Sequence, residues 1–387
     1  MSDVDPNYDD REQSEIKHYA LRLYLEAATR ILGSTRNLKY VDCCAGPWKA
    51  RSLDYVDTSF GIAFRTLRDA AGQLTAQRGI APKFACLLIE KDRDAFARLE
   101  TFAKGVDTPA LPVRAQNWDF AERITEIVQY CSGGGSFPFA FIDPKGWQLA
   151  GISKIRPLLK LNPGEVLINL MSSFITRFIK DNKTDFGDLL GTDYPLLRSL
   201  SGATLESAII DKYCELVKRE GAFDYVCSLP VMNPDMDSFN FHLVYATRHR
   251  KGVEVFKAVE RRAEKKTHII RAELQQKDRQ SKSGNLELFS PDVQYRENCY
   301  QRLARANGER AQEAVRALIE SNARISYDAC WGEALQFSAV YETDLRGWID
   351  GWEREGLVTI EGMQPKARVW QVGKNIKLVR NSKTSGS

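Results

Sequence analysis

Four short, mostly apolar runs in the first half of this 387-residue chain each stop at a polar side chain able to do chemistry. Leu38-Lys39-Tyr40-Val41 ends on Asp42, and Phe84–Ile89 ends on Glu90. Pro112–Ala115 leads into Gln116-Asn117-Trp118-Asp119, and Phe139-Ala140-Phe141-Ile142 ends on Asp143. Runs of this length and apolarity read as strands buried on both faces of a parallel sheet. The carboxyl ends of such strands lie side by side, and ligands bind at that edge. The set has the shape of a nucleotide site. Glu90 can accept from ribose hydroxyls; Asn117 or Asp119 can meet an adenine edge, with Lys91 and Trp118 on the same surface. The small-residue turn Ala45-Gly46-Pro47 would let backbone approach a ligand beside Asp42. Each position also has a plainer reading: Glu90 as a charge near a helix N-terminus, Asp119 as a helix cap.

The turn after Asp42 is not Gly-x-Gly-x-x-Gly, and no Gly-x-x-x-x-Gly-Lys-Ser/Thr occurs. A dinucleotide fingerprint and a P-loop are therefore absent, which points to a cofactor without a phosphate. S-adenosylmethionine is such a cofactor. The stretch Asp143-Pro144-Lys145-Gly146-Trp147 would face it: Pro144 ends the ladder and Gly146 allows a sharp turn. Methyl transfer to an exocyclic amine needs an acceptor for the N–H, which Asp143 supplies, and an aromatic that holds the base, which Trp147 supplies. An enzyme acting on a duplex base must also flip it out of the stack. Lys145 is a phosphate contact or a general base. In the alternative, Asp143 caps a turn and Trp147 is core. Cys43 and Cys44 read as packing residues, since a cysteine nucleophile for carbon methylation is expected after the fourth strand. Lys17-His18 opens the first helix, either in solvent or as a lid over the cofactor.

The elements that carry these residues alternate strand and helix through five strands, the last at Val166–Leu170. Helices are expected over Lys17–Gly33, from a Ser59 cap to Gln73, over Asp92–Phe102 and up to Tyr130. Two further strands, Tyr225–Val231 and Phe241–Thr247, would close the far edge as an antiparallel pair, followed by a charged helix over Gly252–Gln276. This is a Rossmann-like α/β sheet with helices on both faces. A linker at Gln280–Asn285 sets the domain boundary, 1–284 and 285–387. The second part reads as helices over Glu309–Glu320, from a Ser326 cap to Leu335, and over Asp344–Glu355 after a Thr343 cap. A hairpin of Leu357–Glu361 and Arg368–Val372 follows. Together they make a winged helix-turn-helix with a basic tail.

Net charge is only +4, but it is unevenly spread. Residues 248–282 hold twelve Lys/Arg against five Asp/Glu, and residues 366–387 hold six and none, so nucleic-acid contact competes with a simple solvated face. The eight cysteines form no Cys-x-x-Cys pair and the chain has four histidines, so no metal is expected and reduced thiols are. With no signal segment and no run of about 18 apolar residues, no membrane contact and a cytoplasmic location are expected.

The chain resembles the three-Cys-motif partner family, TcmP. The matching residues are Lys17-His18 with Tyr24-Leu25, Tyr40-Val41-Asp42 with Ala45-Gly46-Pro47, and Ile89-Glu90-Lys91-Asp92. They continue with Phe141-Ile142-Asp143-Pro144 and Gly146, Val166-Leu167-Ile168-Asn169 with Arg177, and Tyr245-Ala246-Thr247 with His249 and Lys251-Gly252. The resemblance implies an S-adenosylmethionine-dependent methyltransferase-like fold and a companion protein with a three-cysteine motif of radical-SAM type. The chain departs from the pattern at Cys43-Cys44, where Gly and Phe are usual, and at Lys145, where an aromatic is common. Two functions are therefore weighed: methylation of a nucleic-acid base amine with the winged helix holding the polymer, and a non-catalytic scaffold for the three-Cys companion. A small-molecule methyltransferase is a third.

Overall fold

The computed structural model describes residues 5–46, 50–181, 183–283, 297–363 and 370–381. The chain divides into two compact units, Met1–Arg296 and Glu297–Ser387. The expected boundary at 284 and 285, Pro47, and Arg368 and Val369 of the expected last strand lie outside the described residues; the described remainder, residues 370–372, is not strand.

Unit one is a mixed α/β structure of Rossmann-like build. Its strands are β1 (Asn37–Asp42), β2 (Phe84–Ile89), β3 (Val113–Gln116), β4 (Ser136–Ile142), β5 (Glu165–Leu170), β6 (Tyr225–Met232) and β7 (Phe239–Thr247). They form one seven-stranded sheet in the order β3-β2-β1-β4-β5-β7-β6. The first five are parallel, while β7 runs antiparallel to both β5 and β6, as the hairpin reading requires. The order reverses between β1 and β4. A crevice opens at such a switch point because the connections on either side leave in opposite directions.

Helices α1 (Glu12–Leu32), α2 (Ser59–Arg78), α3 (Arg93–Val106), α4 (Ile124–Cys131), α5 (Ile152–Leu159), α6 (Ser172–Phe178), α7 (Gly187–Leu190), α8 (Gly202–Gly221) and α9 (Arg250–Ser283) flank the sheet. Helix α1 begins five residues before the expected start. The polar stretch Glu12–Glu15 hid its first turn, yet Glu12 and Glu15 are both buried there, and Glu15 meets Lys266 of α9 at 3.0 Å. Helix α2 is capped by Thr58, whose hydroxyl accepts from the Gly61 N–H, and not by Ser59; Asp92 caps α3. Helix α9 runs to Ser283 and so continues into the expected linker. Arg248, just after β7, donates to the carbonyls of Leu159, Leu161 and Gly221, and its guanidinium lies 4.2 Å from the Phe223 ring centroid. One side chain thus holds the ends of α5 and α8 beside the start of β5.

Unit two contains α10 (Cys299–Ser321), β8 (Arg324–Ser326), α11 (Tyr327–Ala334), α12 (Glu342–Arg354), β9 (Val358–Glu361) and β10 (Lys377–Arg380). Its sheet is antiparallel in the order β8-β10-β9. Helix α10 starts ten residues before the expected one, because Asn298 and Gln301 form a reciprocal cap and Gly308 is carried inside the helix. The partner of β9 is Lys377–Arg380, where fully buried Leu378 pairs with Ile360. Strand β8 had no sequence signal, being three residues long. Among the described residues no helix is long and apolar enough to cross a membrane.

Candidate active site

The registers fix which strand ends meet. Asp42 lies opposite Leu88 of β2 and Phe141 of β4; Ile142 lies opposite Ile168, and Ile89 opposite Gln116. Carrying each register past its strand end sets Asn117, Glu90, Cys44, Asp143 and Asn169 in one row across five strands. Hydrogen bonds continue the ladder to that row: the N–H of Cys43 donates to the Phe141 carbonyl (2.9 Å), Ala45 to Ile89 (2.8 Å) and Glu90 to Gln116 (3.1 Å).

Asp42 anchors the turn below the row. It is fully buried, and its carboxylate accepts from Tyr40 Oη (2.9 Å), Ser59 Oγ (2.6 Å) and the Cys44 N–H (3.2 Å). Burial lifts its pKa to about 6 in spite of these bonds. The N–H groups of Cys43, Cys44 and Ala45 are thus all engaged internally, and Ala45 is buried while Gly46 is half-buried. With these three N–H groups engaged, residues 43–45 offer no backbone donors to a phosphate, which suits a cofactor lacking one. The Cys44 thiol is pushed well up, first by burial, then by Cys43 and the carboxylates of Asp143, Asp42 and Glu90. All three acids therefore act on one point.

At β2, Glu90 is buried and accepts from the Asp92 N–H at 2.7 Å through Oε1. Asn117 does not offer its amide nitrogen outward: Nδ2 donates to the carbonyls of Glu90 (2.8 Å) and Lys91 (3.1 Å), tying the ends of β2 and β3 together. Asp119 accepts from the Ala121 N–H (3.0 Å) and lies 3.6 Å from Lys91 Nζ, so it closes its own turn. Trp118 is half-buried against the core.

At β4, Asp143 is held from two sides. Lys17 of α1 forms an ion pair with Oδ2, and Asn169 Nδ2 donates to Oδ1 at 2.7 Å. Lys17 is buried, with Phe241 of β7 5.9 Å from its Nζ. The solvated reading of Lys17-His18 does not hold, since both side chains are buried. His18 is buried, its Nδ1 2.9 Å from Tyr8 Oη, and burial, then the charges of Lys17 and Arg11, lower its pKa. Pro144 is buried, Lys145 exposed, and Gly146 takes φ +94°, a conformation that favours glycine. Trp147 turns to the core. Its ring centroid is 4.7 Å from that of Phe186 and 6.5 Å from that of Phe174, because the chain enters a 3-10 turn at Gln148. Arg177 is exposed in the last turn of α6.

A second polar cluster follows β5, from three elements far apart in sequence. Ser172 Oγ lies 2.9 Å from His242 Nδ1 and donates to Glu206 Oε1 at 3.2 Å. Burial carries His242 down to about 3 and Glu206 up to about 7, the latter opposed by the Ser172 bond. A carboxyl raised on folding favours the fold while protonated. Its contribution is complete below the unfolded pKa near 4.5 and is lost as pH rises through about 7. Glu206→Gln keeps an acceptor for Ser172 without the charge. We expect it to gain on the natural chain by up to about 3 kcal/mol between pH 4.5 and 8, read as a growing difference in Tm. A constant difference would show that Glu206 does not titrate there.

Sequence reasoning missed Asn169, Ser172, His242 and Glu206 as members of the site. Asn169 alone had a signal, as the polar residue of an otherwise apolar run, Val166–Leu170. Among the described residues no group of three or more His, Cys, Asp or Glu is arranged to hold a metal, and all eight cysteines are free thiols.

No family model matches the chain, and no curated protein matches it. Solved structures that it resembles include a protein from Legionella pneumophila str. Philadelphia 1 of the DUF519 family, at 12% identity and a TM-score of 0.38, covering 63% of this chain and 86% of that one. Another is a dimethyladenosine transferase from Plasmodium falciparum, at 11% identity and a TM-score of 0.26, covering 86% of this chain and 96% of the other. Overlaps this loose carry no assignment, so the chemistry rests on the strand-end row.

Proposed function

We propose that unit one binds S-adenosylmethionine at the switch point and transfers its methyl group to an amine nitrogen of a nucleic-acid base. The observation that carries this reading is the register that sets Glu90 and Asp143 beside Cys44 in one row at adjacent strand ends, with Asp42 just below it. Bound there, the cofactor would supply an electrophilic methyl group. Glu90 binds ribose hydroxyls, Asp42 holds the turn that approaches the ligand, and Asn117 fixes the ends of β2 and β3. Asp143 accepts an N–H of the incoming amine: a carboxylate has about four acceptor positions, so bonds from Lys17 and Asn169 leave room for another. The doubly wound sheet with its antiparallel closing hairpin is the frame implied by resemblance to the three-Cys-motif partner family. The helices and three-stranded sheet of unit two support reading it as a winged helix. Titration calorimetry with S-adenosylmethionine tests the reading. Glu90→Ala should weaken binding on the order of tenfold or more, as loss of a hydrogen bond to a charged group does. Absence of binding heat with the natural chain would overturn it.

A second reading, a scaffold for a three-Cys companion, has its own support. Helix α12 carries Glu342, Asp344, Asp350 and Glu353 against Arg346 and Arg354, and Arg346 already donates to Glu342 and to the Trp370 carbonyl. An acidic helix is a poor partner for phosphates. Several cations of the basic stretch are engaged internally too: Arg248 with carbonyls, Lys266 with Glu15, and Arg271 with the carbonyls of Asn233 and Met236. Co-purification with the companion and no methyl transfer by the natural chain would favour this reading.

A further inference from the structure

Asn169 presents an unanswered acceptor. It is 6% exposed, and its Oδ1 is buried without a hydrogen-bond partner, while its Nδ2 donates to Asp143 Oδ1 at 2.7 Å. The amide cannot be turned over to cure this. Rotation would set Oδ1 against a carboxylate oxygen, acceptor against acceptor, so Asp143 itself dictates the orientation. Buried acceptors are nearly always satisfied, and one left open beside a candidate catalytic carboxylate marks a position that a ligand's donor completes. Two acceptors, Asn169 Oδ1 and Asp143, then stand side by side at the ends of β5 and β4, which are neighbours in the sheet.

We propose that Asn169 is a specificity-determining residue that takes one hydrogen of a nucleobase primary amino group while Asp143 takes the other. This rests on the methyl-transfer reading for the identity of the ligand. An amino nitrogen bonded to an aromatic ring carries two in-plane hydrogens, and two adjacent acceptors match both. The incoming amine meets Asp143 at an acceptor position that the bonds from Lys17 and Asn169 leave open. A base that already bears two methyl groups has no hydrogen to offer and leaves both acceptors bare. A site built to hydrogen-bond a group discriminates strongly against an analogue lacking it.

The test uses fluorescent single strands of thymine carrying one central adenine or cytosine, each beside the same strand with an N,N-dimethylated base. Affinities are measured by anisotropy on the full chain in saturating S-adenosylhomocysteine, whose own binding is first measured by calorimetry. The natural chain should bind at least one amino strand on the order of tenfold more tightly than its dimethyl counterpart, and Asn169→Leu should reduce that preference to about threefold or less. The comparison between strands on the natural chain needs no variant, so a misfolded Asn169→Leu leaves that arm decisive. No preference in the natural chain, an undiminished preference in the variant, or no binding of any strand would each overturn the inference. A preference that depends on Asn169 in a chain that binds no S-adenosylhomocysteine would overturn the methyl-transfer reading and keep Asn169 as an amine reader.

Discussion

Asp143→Asn should lower methyl transfer by about a hundredfold or more, the scale of a lost proton acceptor, while changing cofactor affinity less than about threefold. The substitution is nearly isosteric. Asn169 Nδ2 donates to Oδ1 and Lys17 to Oδ2, so the single amide oxygen of the variant keeps one of these bonds while its NH2 faces the other donor. What disappears is the negative charge facing the amine. An amine that attacks the methyl group gains positive charge at nitrogen and must then release a proton; Asp143 stabilises the first and receives the second. An amide can do neither. The cost falls on kcat, because the lost interaction strengthens only as charge develops. Transfer of a labelled methyl group from S-adenosylmethionine to nucleic acid reads it directly. Lys17 complicates the comparison, since the variant leaves its ammonium partly buried without a counter-charge. The double variant Lys17→Met with Asp143→Asn separates the two effects: stability should recover and turnover should not. Recovery of turnover in the double variant would reduce Asp143 to a counter-ion for Lys17. Unaltered transfer by Asp143→Asn alone would remove it from the chemistry.

The strands that carry this site were legible because each is an apolar run stopped by a polar residue, and such runs have few other uses. Because the strands alternate with helices they form a parallel sheet whose carboxyl ends share one edge, so the neighbourhood of Asp42 and Asp143 could be anticipated. Register could not. Only register aligns Cys44 with Glu90 and Asp143 and brings Asn169 onto Asp143. Side-chain direction was equally hidden. Trp147 follows the acidic motif closely enough to invite a stacking role, but the 3-10 turn at Gln148 sends its ring to Phe186. Asn117 looked like a base-reading amide and instead secures two backbone carbonyls. Lys17 was anticipated only as solvated or as a lid, and by resemblance; its ion pair with Asp143 spans 126 residues of sequence, and no local pattern encodes such a contact. In unit two the expected hairpin partner of β9 was misplaced because Arg368–Val372 carries an apolar pair, Val369-Trp370, between polar residues just as Lys377–Arg380 carries Leu378-Val379. Burial of Leu378 between Ile360 and Ile325 decided it.

Gly252→Ala should destabilise unit one by about 3 kcal/mol or more, the scale of overpacking combined with a broken buried hydrogen bond. Gly252 is the third residue of α9, and a Cβ there would stand 2.3 Å from Tyr245 Oη, 2.8 Å from Glu165 Oε1 and 2.8 Å from Thr247 Oγ1. Those atoms belong to a buried network. Glu165 accepts from Tyr24 and, at 2.6 Å, from Thr247, and the hydroxyls of Tyr24 and Tyr245 are 3.1 Å apart. Burial raises the pKa of Glu165, and the hydroxyl bonds counter that rise. Neither ring can retreat: Tyr24 stacks on Phe139 at 4.7 Å and Tyr245 on Phe256 at 4.6 Å. The intruding methyl must therefore displace α9 or separate hydroxyls from a buried carboxylate, and both are costly. The network joins α1, β5, β7 and α9 at the opposite end of β5 from Asn169, so α1 would lose part of the hold that brings Lys17 to Asp143. Gly105→Ala in α3 is the control. Nothing lies within 4 Å of its added Cβ, and helix propensity predicts a neutral result or a gain of up to about 1 kcal/mol. Thermal unfolding should show Gly252→Ala melting roughly 6 to 12 °C below the natural chain, with Gly105→Ala at or above it. Equal Tm values for the two variants would mean that the Glu165 network yields to the methyl group and does not brace the sheet.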